Sequence, residues 1–344
     1  MLVPLSWLKD YVDIDVQPKE LEEKLFSCGF EVEELYEVGK DISKVVVGHV
    51  LECEPIPDTH LHVCQVDCGE HGTFQICCGA DNVHAGGKFP AALVGATVYA
   101  TAKDHKTVEG VMTIGKGKLR GVESFGMLCS GEELGINDDF YPGAEFDGLL
   151  DLAKDAPVGE DIKKIVGLDD WIFDISVTAN RPDCQCIFGM AREVAAVLKK
   201  PLKQPDYSYT AYKTNAPQIT VEVQDSELCP RYVGRYVENV TGGETPAWMR
   251  KRLAVSGIRS ISPIVDITNF VLLEMGQPMH AFDADELAGH KIVVRRAEKD
   301  EKIVTLDEKE FTLTKDNLVI CDGEKPVALA GVMGGANSGV KDST

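Results

Sequence analysis

The run VVVGHVLEC, Val45 to Cys53, changes the periodicity of the chain. It is short, β-branched and apolar, and the same character returns in LHVCQVD (Leu61–Asp67), TFQICCG (Thr73–Gly79), KFPAALVGATV (Lys88–Val98) and GVMTIGKGKL (Gly110–Leu119). Gly, Pro and Asp separate these runs, and several short strands at such spacing predict a small β-barrel. What precedes is helical: Ser6 is placed as the cap of WLKDYV, and PKELEEKLFSCG (Pro18–Gly29) puts Leu21, Leu25 and Cys28 on one helical face, with Gly29 suited to a left-handed stop.

The β-rich stretch ends near GLLDLAKDAPVGEDI (Gly148–Ile162). WIFDISVTANRPDC (Trp171–Cys184) then reads as a strand entering a turn. CIFGMAREVAAVLKK (Cys186–Lys200) reads as an amphipathic helix capped by Asp183, with a stripe of Ile187, Met190, Ala191, Val194, Val197 and Leu198 and with Pro201 blocking continuation. A linker is expected at QPDYSYTAYKTNAPQ (Gln204–Gln218). Beyond it, ITVEV is a strand, Thr245 caps a helix with Pro246 at its first position and Gly257 past its end, and DITNFVLLEMG ends likewise at Gly276. The remainder is strand-like, with Asp322-Gly323 marking a tight turn.

A chain of 344 residues calls for two or three domains, and 44% hydrophobic with 26% charged residues is enough to bury their cores. No apolar run is long enough to span a bilayer, and the opening MLVPLSWLKDYVDID lacks a signal peptide's basic head and apolar stretch, so a cytoplasmic location without a membrane is expected. Eleven scattered cysteines, an odd number, are expected to be reduced and unligated. The formal charge of −21 opposes loose binding of nucleic acid, which would need a local basic patch. One candidate patch is GKGKLRG, where Lys116, Lys118 and Arg120 alternate; on a strand they would share one face, either tracking a phosphate backbone or lying solvated.

Other candidates compete with bland readings. His60, His62 and Cys64, with Cys68, Cys77 and Cys78 nearby, resemble a metal cluster, but the paired hooks of structural zinc sites are missing. GVMGGANSG (Gly331–Gly339) matches neither a P-loop nor a dinucleotide fingerprint; its glycines serve tight turns or close backbone approach to a ligand. His280, in GQPMHAFDADEL, has no adjacent base or nucleophile.

Taken in order, WLKDYVD, VVVGHVLECEPIPDTHLHVCQVDCG, CGADNV, KLRGVESFGMLCSGEELGI, SVTANRPDC, GIRSISPIVDITNFVLLEMGQPMHAFD and GVMGGANSGV resemble the β subunit of bacterial phenylalanyl-tRNA synthetase over essentially the whole chain. The resemblance implies an α+β multidomain protein. An OB-type, tRNA-binding barrel (40–151) would be inserted in a small helical domain (1–39 with 152–203), followed by a mixed α+β editing domain (204–344). Such a domain hydrolyses tyrosine wrongly attached to the phenylalanine tRNA, while aminoacylation, with its ATP and magnesium, lies in a partner α subunit of an α2β2 heterotetramer. No cofactor is then expected on this part of the enzyme. His280, Arg259 and Gly334 fall on the family's editing-site histidine, arginine and pocket glycine; a glutamate and a threonine completing that site are expected beyond Thr344. The rival reading is a non-catalytic tRNA-binding or assembly module.

Overall fold

The structure, a computed structural model, describes residues 1–101, 108–211, 219–240, 242–341 and 343–344. Residues 212–218 of the expected linker lie outside the described residues. The chain divides into two compact units, one made of 1–204, 246–260 and 273–276, the other of 205–245, 261–272 and 277–344.

The first unit begins with β1 (Leu2–Pro4), α1 (Leu5–Tyr11), α2 (Pro18–Ser27) and β2 (Glu31–Glu37). Ser6 is not the cap of α1. It lies in the first turn, where its N–H and hydroxyl donate to the carboxylate of Asp170, so the helix N-terminus is satisfied from a residue distant in sequence. Of the face predicted for α2, Leu21 and Leu25 are buried and Gly29 adopts φ +92°, whereas Cys28 follows the helix and is exposed.

A run of strands follows: β3 (Ser43–Pro55), β4 (His62–Asp67), β5 (Thr73–Cys78), β6 (Lys88–Thr101), β7 (Val108–Thr113), β8 (Gly117–Leu119), β9 (Val122–Ser124) and β10 (Gly126–Leu128). One sheet has the order β10-β6-β3-β4-β5, with β7 also paired to β6, and its pairings are antiparallel. Val45 and Val47 of β3 pack into one apolar cluster, with Leu134, Leu150 and Ile162; Val46 and Val50 pack into another, with Val66, Ile76 and Phe89. Burial on both faces explains why VVVGHV reads as an uninterrupted apolar run instead of an alternation. The ladder does not close into a barrel; from β10's side the approach to β5 consists of isolated contacts, such as the Phe125 N–H to Gln75 O bond of 2.9 Å.

The unit continues with α3 (Ile162–Val166), β11 (Trp171–Ser176) and α4 (Ile187–Leu198). Strand β11 pairs antiparallel with both β1 and β2, so the segments on either side of the long β-stretch share one sheet. This region, expected to be helical, is therefore mixed: EVEELYE is too charged to read as a strand, yet its Val32 is buried in register with Ile175. The cap of α4 is Cys186, whose sulfur accepts from Gly189 N–H at 3.3 Å, not Asp183. Asp183 instead holds Arg181 and Arg192.

The second unit carries β12 (Thr220–Val223). Next in the chain come α5 (Ala247–Val255) and α6 (Pro263–Met275), then β13 (Lys291–Arg296), β14 (Lys302–Val304), β15 (Glu310–Thr312), β16 (Leu318–Cys321), β17 (Pro326–Leu329) and β18 (Met333–Gly334). Its main sheet runs β12-β13-β16-β17-β18, with a parallel β12–β13 pair and antiparallel pairs elsewhere, and β14–β15 form a hairpin. The resemblance implies one domain over 204–344, whereas α5 packs with the first unit. There Arg252 lies over the ring of Trp7 at 5.2 Å and pairs with Asp10, a docking that no local pattern announces. Thr245 does not cap α5; its hydroxyl binds the fully buried Asp266.

Removing the remote cap tests the α1 assignment. Asp170→Ala should lower stability by about 1 kcal/mol, within the range for lost helix caps, as a shift in the urea midpoint at unchanged slope. An unshifted midpoint would deny Asp170 that role.

Candidate functional site

His280 and Gly334 come together in the second unit. His280 follows α6 on an irregular segment that is anchored three residues later: buried Asp283 donates its N–H to Ser338 O at 3.1 Å and caps the next turn through Asp285 N–H. Opposite lies β18, where Gly334 pairs with Ala328 of β17 and its carbonyl accepts from Leu306 N–H at 2.9 Å. A Cβ on Gly334 would stand 2.8 Å from His280 Nε2, closer still to Cε1, and 3.0 Å from Leu306 Cδ1. The glycine is thus a recess that the imidazole fills. Gly335 N–H is bonded to Val327 O and Ala336 N–H to Val304 O, so this turn spends those donors on the fold.

The ring of Phe282 meets the imidazole edge-to-face at 4.6 Å. His280 remains exposed overall, but the covering of its ring lowers its pKa below 6.5, because desolvation disfavours the cation. At neutral pH the ring is therefore a neutral donor and acceptor. Met279, Leu306, Val332 and Met333, all exposed, provide apolar surface nearby in the chain or in space. Phe282 has a sequence signal, two residues from His280 on an extended stretch; Leu306 has none, since a tertiary strand contact brings it in.

Arg259 belongs to the first unit, where its exposed guanidinium lies 3.9 Å from Asp139. Lys116, Lys118 and Arg120 are exposed, but they do not line a single strand. Lys118 lies in β8, Lys116 precedes it and stands 5.5 Å from the Phe125 ring centroid, and Arg120, at φ +49°, begins the turn completed by Gly121 at φ +90°. Two successive left-handed residues make a tight hairpin between β8 and β9, with Arg120 at its tip, Lys118 opposite Glu123 along its length and Lys116 at its open end. In the same unit a cavity of about 380 Å³ is lined by Asp81, Glu132, Glu133 and Asp147, a setting that repels phosphate.

His60, His62 and Cys64 do not gather as ligands: His60 sits in a bend, His62 opens β4 and Cys64 points into the core. Among the described residues, the donors grouped within 4.8 Å are Asp183, Cys184 and Glu193. Arg181 already bonds both carboxylates, at 3.0 and 2.7 Å, and so supplies the positive charge that an ion would bring; a thiol is also a poor ligand for magnesium.

Two families divide the chain in a way that defines its class. One described as a putative tRNA binding domain matches residues 45–161, and one described as a B3/4 domain matches 228–344. Across its full length the chain is 45% identical to the phenylalanine–tRNA ligase beta subunit of Syntrophus aciditrophicus, covering 41% of that protein. It is 48% identical over 98% of its length to that of Hahella chejuensis, again covering 41%. By sequence the chain belongs to the family of phenylalanine–tRNA ligase beta subunits, and it spans about two-fifths of the length of these relatives. An N-terminal fragment of the phenylalanyl-tRNA synthetase beta subunit from Pyrococcus horikoshii is 19% identical, covering 51% of this chain and 53% of that one at a TM-score of 0.27.

The recess at Gly334 predicts its own perturbation. His280 should titrate below 6.5 by NMR; Gly334→Ala should expel the ring into water, move its resonances and raise the midpoint towards 6.5. Identical His280 shifts in the two proteins would refute the packing.

Proposed function

We propose that this chain acts within a phenylalanine–tRNA ligase as the β-subunit portion that binds tRNA and hydrolyses tyrosyl-tRNA formed in error. Aminoacylation, with ATP and magnesium, belongs in this reading to a partner α subunit of a cytoplasmic α2β2 assembly. The observation that carries it is the seating of a neutral His280 against Gly334 in a chain whose whole length matches β subunits of that ligase.

The chemical need is clear. A pocket shaped for phenylalanine cannot strongly exclude an analogue that adds one hydroxyl, whereas a second site that bonds the hydroxyl can select that analogue for hydrolysis. Water adds to the ester carbonyl, the bond to the terminal ribose breaks, and tyrosine and tRNA leave. His280 orients that water or the ribose hydroxyl through its imidazole, Gly334 keeps the space for the ring, and Arg259 positions the charged end of the tRNA. The division into a helical part (1–39 with 152–203), an OB-type tRNA-binding part (40–151) and an editing part (204–344) belongs to the same reading. The antiparallel sheet of β3–β6 and β10, with the Phe125 N–H beside β10 bonded to Gln75 O of β5, supports the OB assignment, and the hairpin with Lys116, Lys118 and Arg120 is its proposed phosphate contact.

In a complete α/β assembly, His280→Ala and Arg259→Ala should slow release of tyrosine from tyrosyl-tRNA by about tenfold or more, within the scale of acid–base and positioning effects, while phenylalanine attachment stays nearly intact. Release by the unaltered enzyme should fall on acidification below 6.5, as His280 takes up its proton. Normal deacylation by both variants would leave the non-catalytic tRNA-binding module as the function.

The tRNA contact is tested separately. Neutralising Lys116, Lys118 and Arg120 together should weaken tRNA binding and flatten its logarithmic salt dependence by roughly 0.7–0.9 per phosphate contact removed. Filter binding across a salt series reads both quantities, and an unchanged slope would make the hairpin a solvated surface.

A further inference from the structure

We propose that Cys53 and Cys64 form a reversible disulfide when the protein meets a hydroperoxide, an oxidation site that clamps the β3–β4 hairpin. The two residues are direct partners in the antiparallel ladder, and the Cys64 thiol points at the Cys53 sulfur at 3.7 Å. Ile56 N–H donates to Leu61 O, and the register runs without a shift through Pro55–His62 and Glu54–Val63 to Cys53–Cys64. Bonded and non-bonded pairs alternate along such a ladder, which puts Cys53 and Cys64 at a non-hydrogen-bonded position. There the Cα atoms approach to about 4.5 Å, at the short end of what a disulfide accepts. The bond can therefore close by side-chain rotation, with a strain that favours its later reduction.

The two thiols differ in access. Cys53 is half-buried and can meet a small oxidant, whereas Cys64 is fully buried and its thiol is pushed up by desolvation and by Cys53 itself. The Cys53 thiolate attacks one peroxide oxygen, the O–O bond breaks and the departing alkoxide or hydroxide takes a proton, leaving Cys53 as a sulfenic acid. The Cys64 sulfur then attacks the Cys53 sulfur, the S–O bond breaks, and hydroxide leaves as water with the proton from Cys64. Each sulfur is oxidised by one electron, and the peroxide is reduced by two. Exposed Cys28 is a useful contrast: its thiol bonds the Leu25 carbonyl, and no thiol–thiol bond to it is made among the described residues. Cys78 is the competing partner, because it lies in the same apolar cluster, but it stands opposite His62 in the ladder and not opposite either of the pair.

The test is hydrogen peroxide treatment of the full chain, with thiol counting and peptide mapping by mass spectrometry. The expected product has two free thiols fewer than the eleven of the reduced protein, a Cys53–Cys64 cross-linked peptide, and full recovery in dithiothreitol. Cys53→Ser should abolish the cross-link. Cys64→Val, which suits a buried strand, should leave Cys53 as a sulfenic acid that dimedone traps. A Cys53–Cys78 or Cys77–Cys78 bridge would overturn the proposal. So would a wild-type chain that keeps both Cys53 and Cys64 as thiols at a peroxide dose that oxidises Cys28.

Discussion

Strand β3 must be covered on both of its faces, and the first unit is organised around that demand. Val45 and Val47 look into one apolar cluster and Val46 and Val50 into the other. A strand with solvent on one side could not carry such a run without exposing it, at a cost of about 25 cal/mol per Å² of apolar surface. The coverings come from different places: β4, β5 and β6 supply Val66, Ile76 and Phe89 to one cluster, while Leu150, Ile162 and Val166 come from chain far beyond the sheet. The Val46–Asp161 bridge and the bond from Val47 N–H to Glu160 O join that later segment directly to β3. The β2–β11 ladder then ties the two flanks together.

In the second unit, shape does more than charge. The bond network fixes the backbone around His280, through Asp283 N–H to Ser338 O on its own segment and through Leu306 N–H to Gly334 O on the facing one. The imidazole fits because residue 334 has no side chain, and it stays neutral because Phe282 and the glycine recess displace water from its faces. Desolvation is the cause of its lowered pKa, and the residue as a whole stays exposed.

Charge is organised on a larger scale. The chain carries a net −21, and the cavity beside Asp81, Glu132, Glu133 and Asp147 concentrates that negative character. Lys116, Lys118 and Arg120 lie on or beside a short hairpin whose turn places left-handed backbone at Arg120 and Gly121.

What the sequence determined by itself was set by local pattern. The short β-runs from Val45, the helices around Leu21 and Met190, the left-handed stops at Gly29, Gly257 and Gly276, and the turn at Asp322-Gly323 all follow from periodicity or from backbone chemistry within a few residues. Order of motifs made the family legible, and with it the candidacy of His280, Arg259 and Gly334. The tertiary structure decided whatever depends on a partner far along the chain. Ser6 and Thr245 look like caps, yet their hydroxyls go to Asp170 and Asp266; EVEELYE becomes a strand only because β11 pairs with it; α5 joins the first unit because Arg252 stacks on Trp7. The role of Gly334 is of the same kind, since a glycine's neighbours, and so the reason for having no Cβ, are invisible until the fold brings the His280 ring against it.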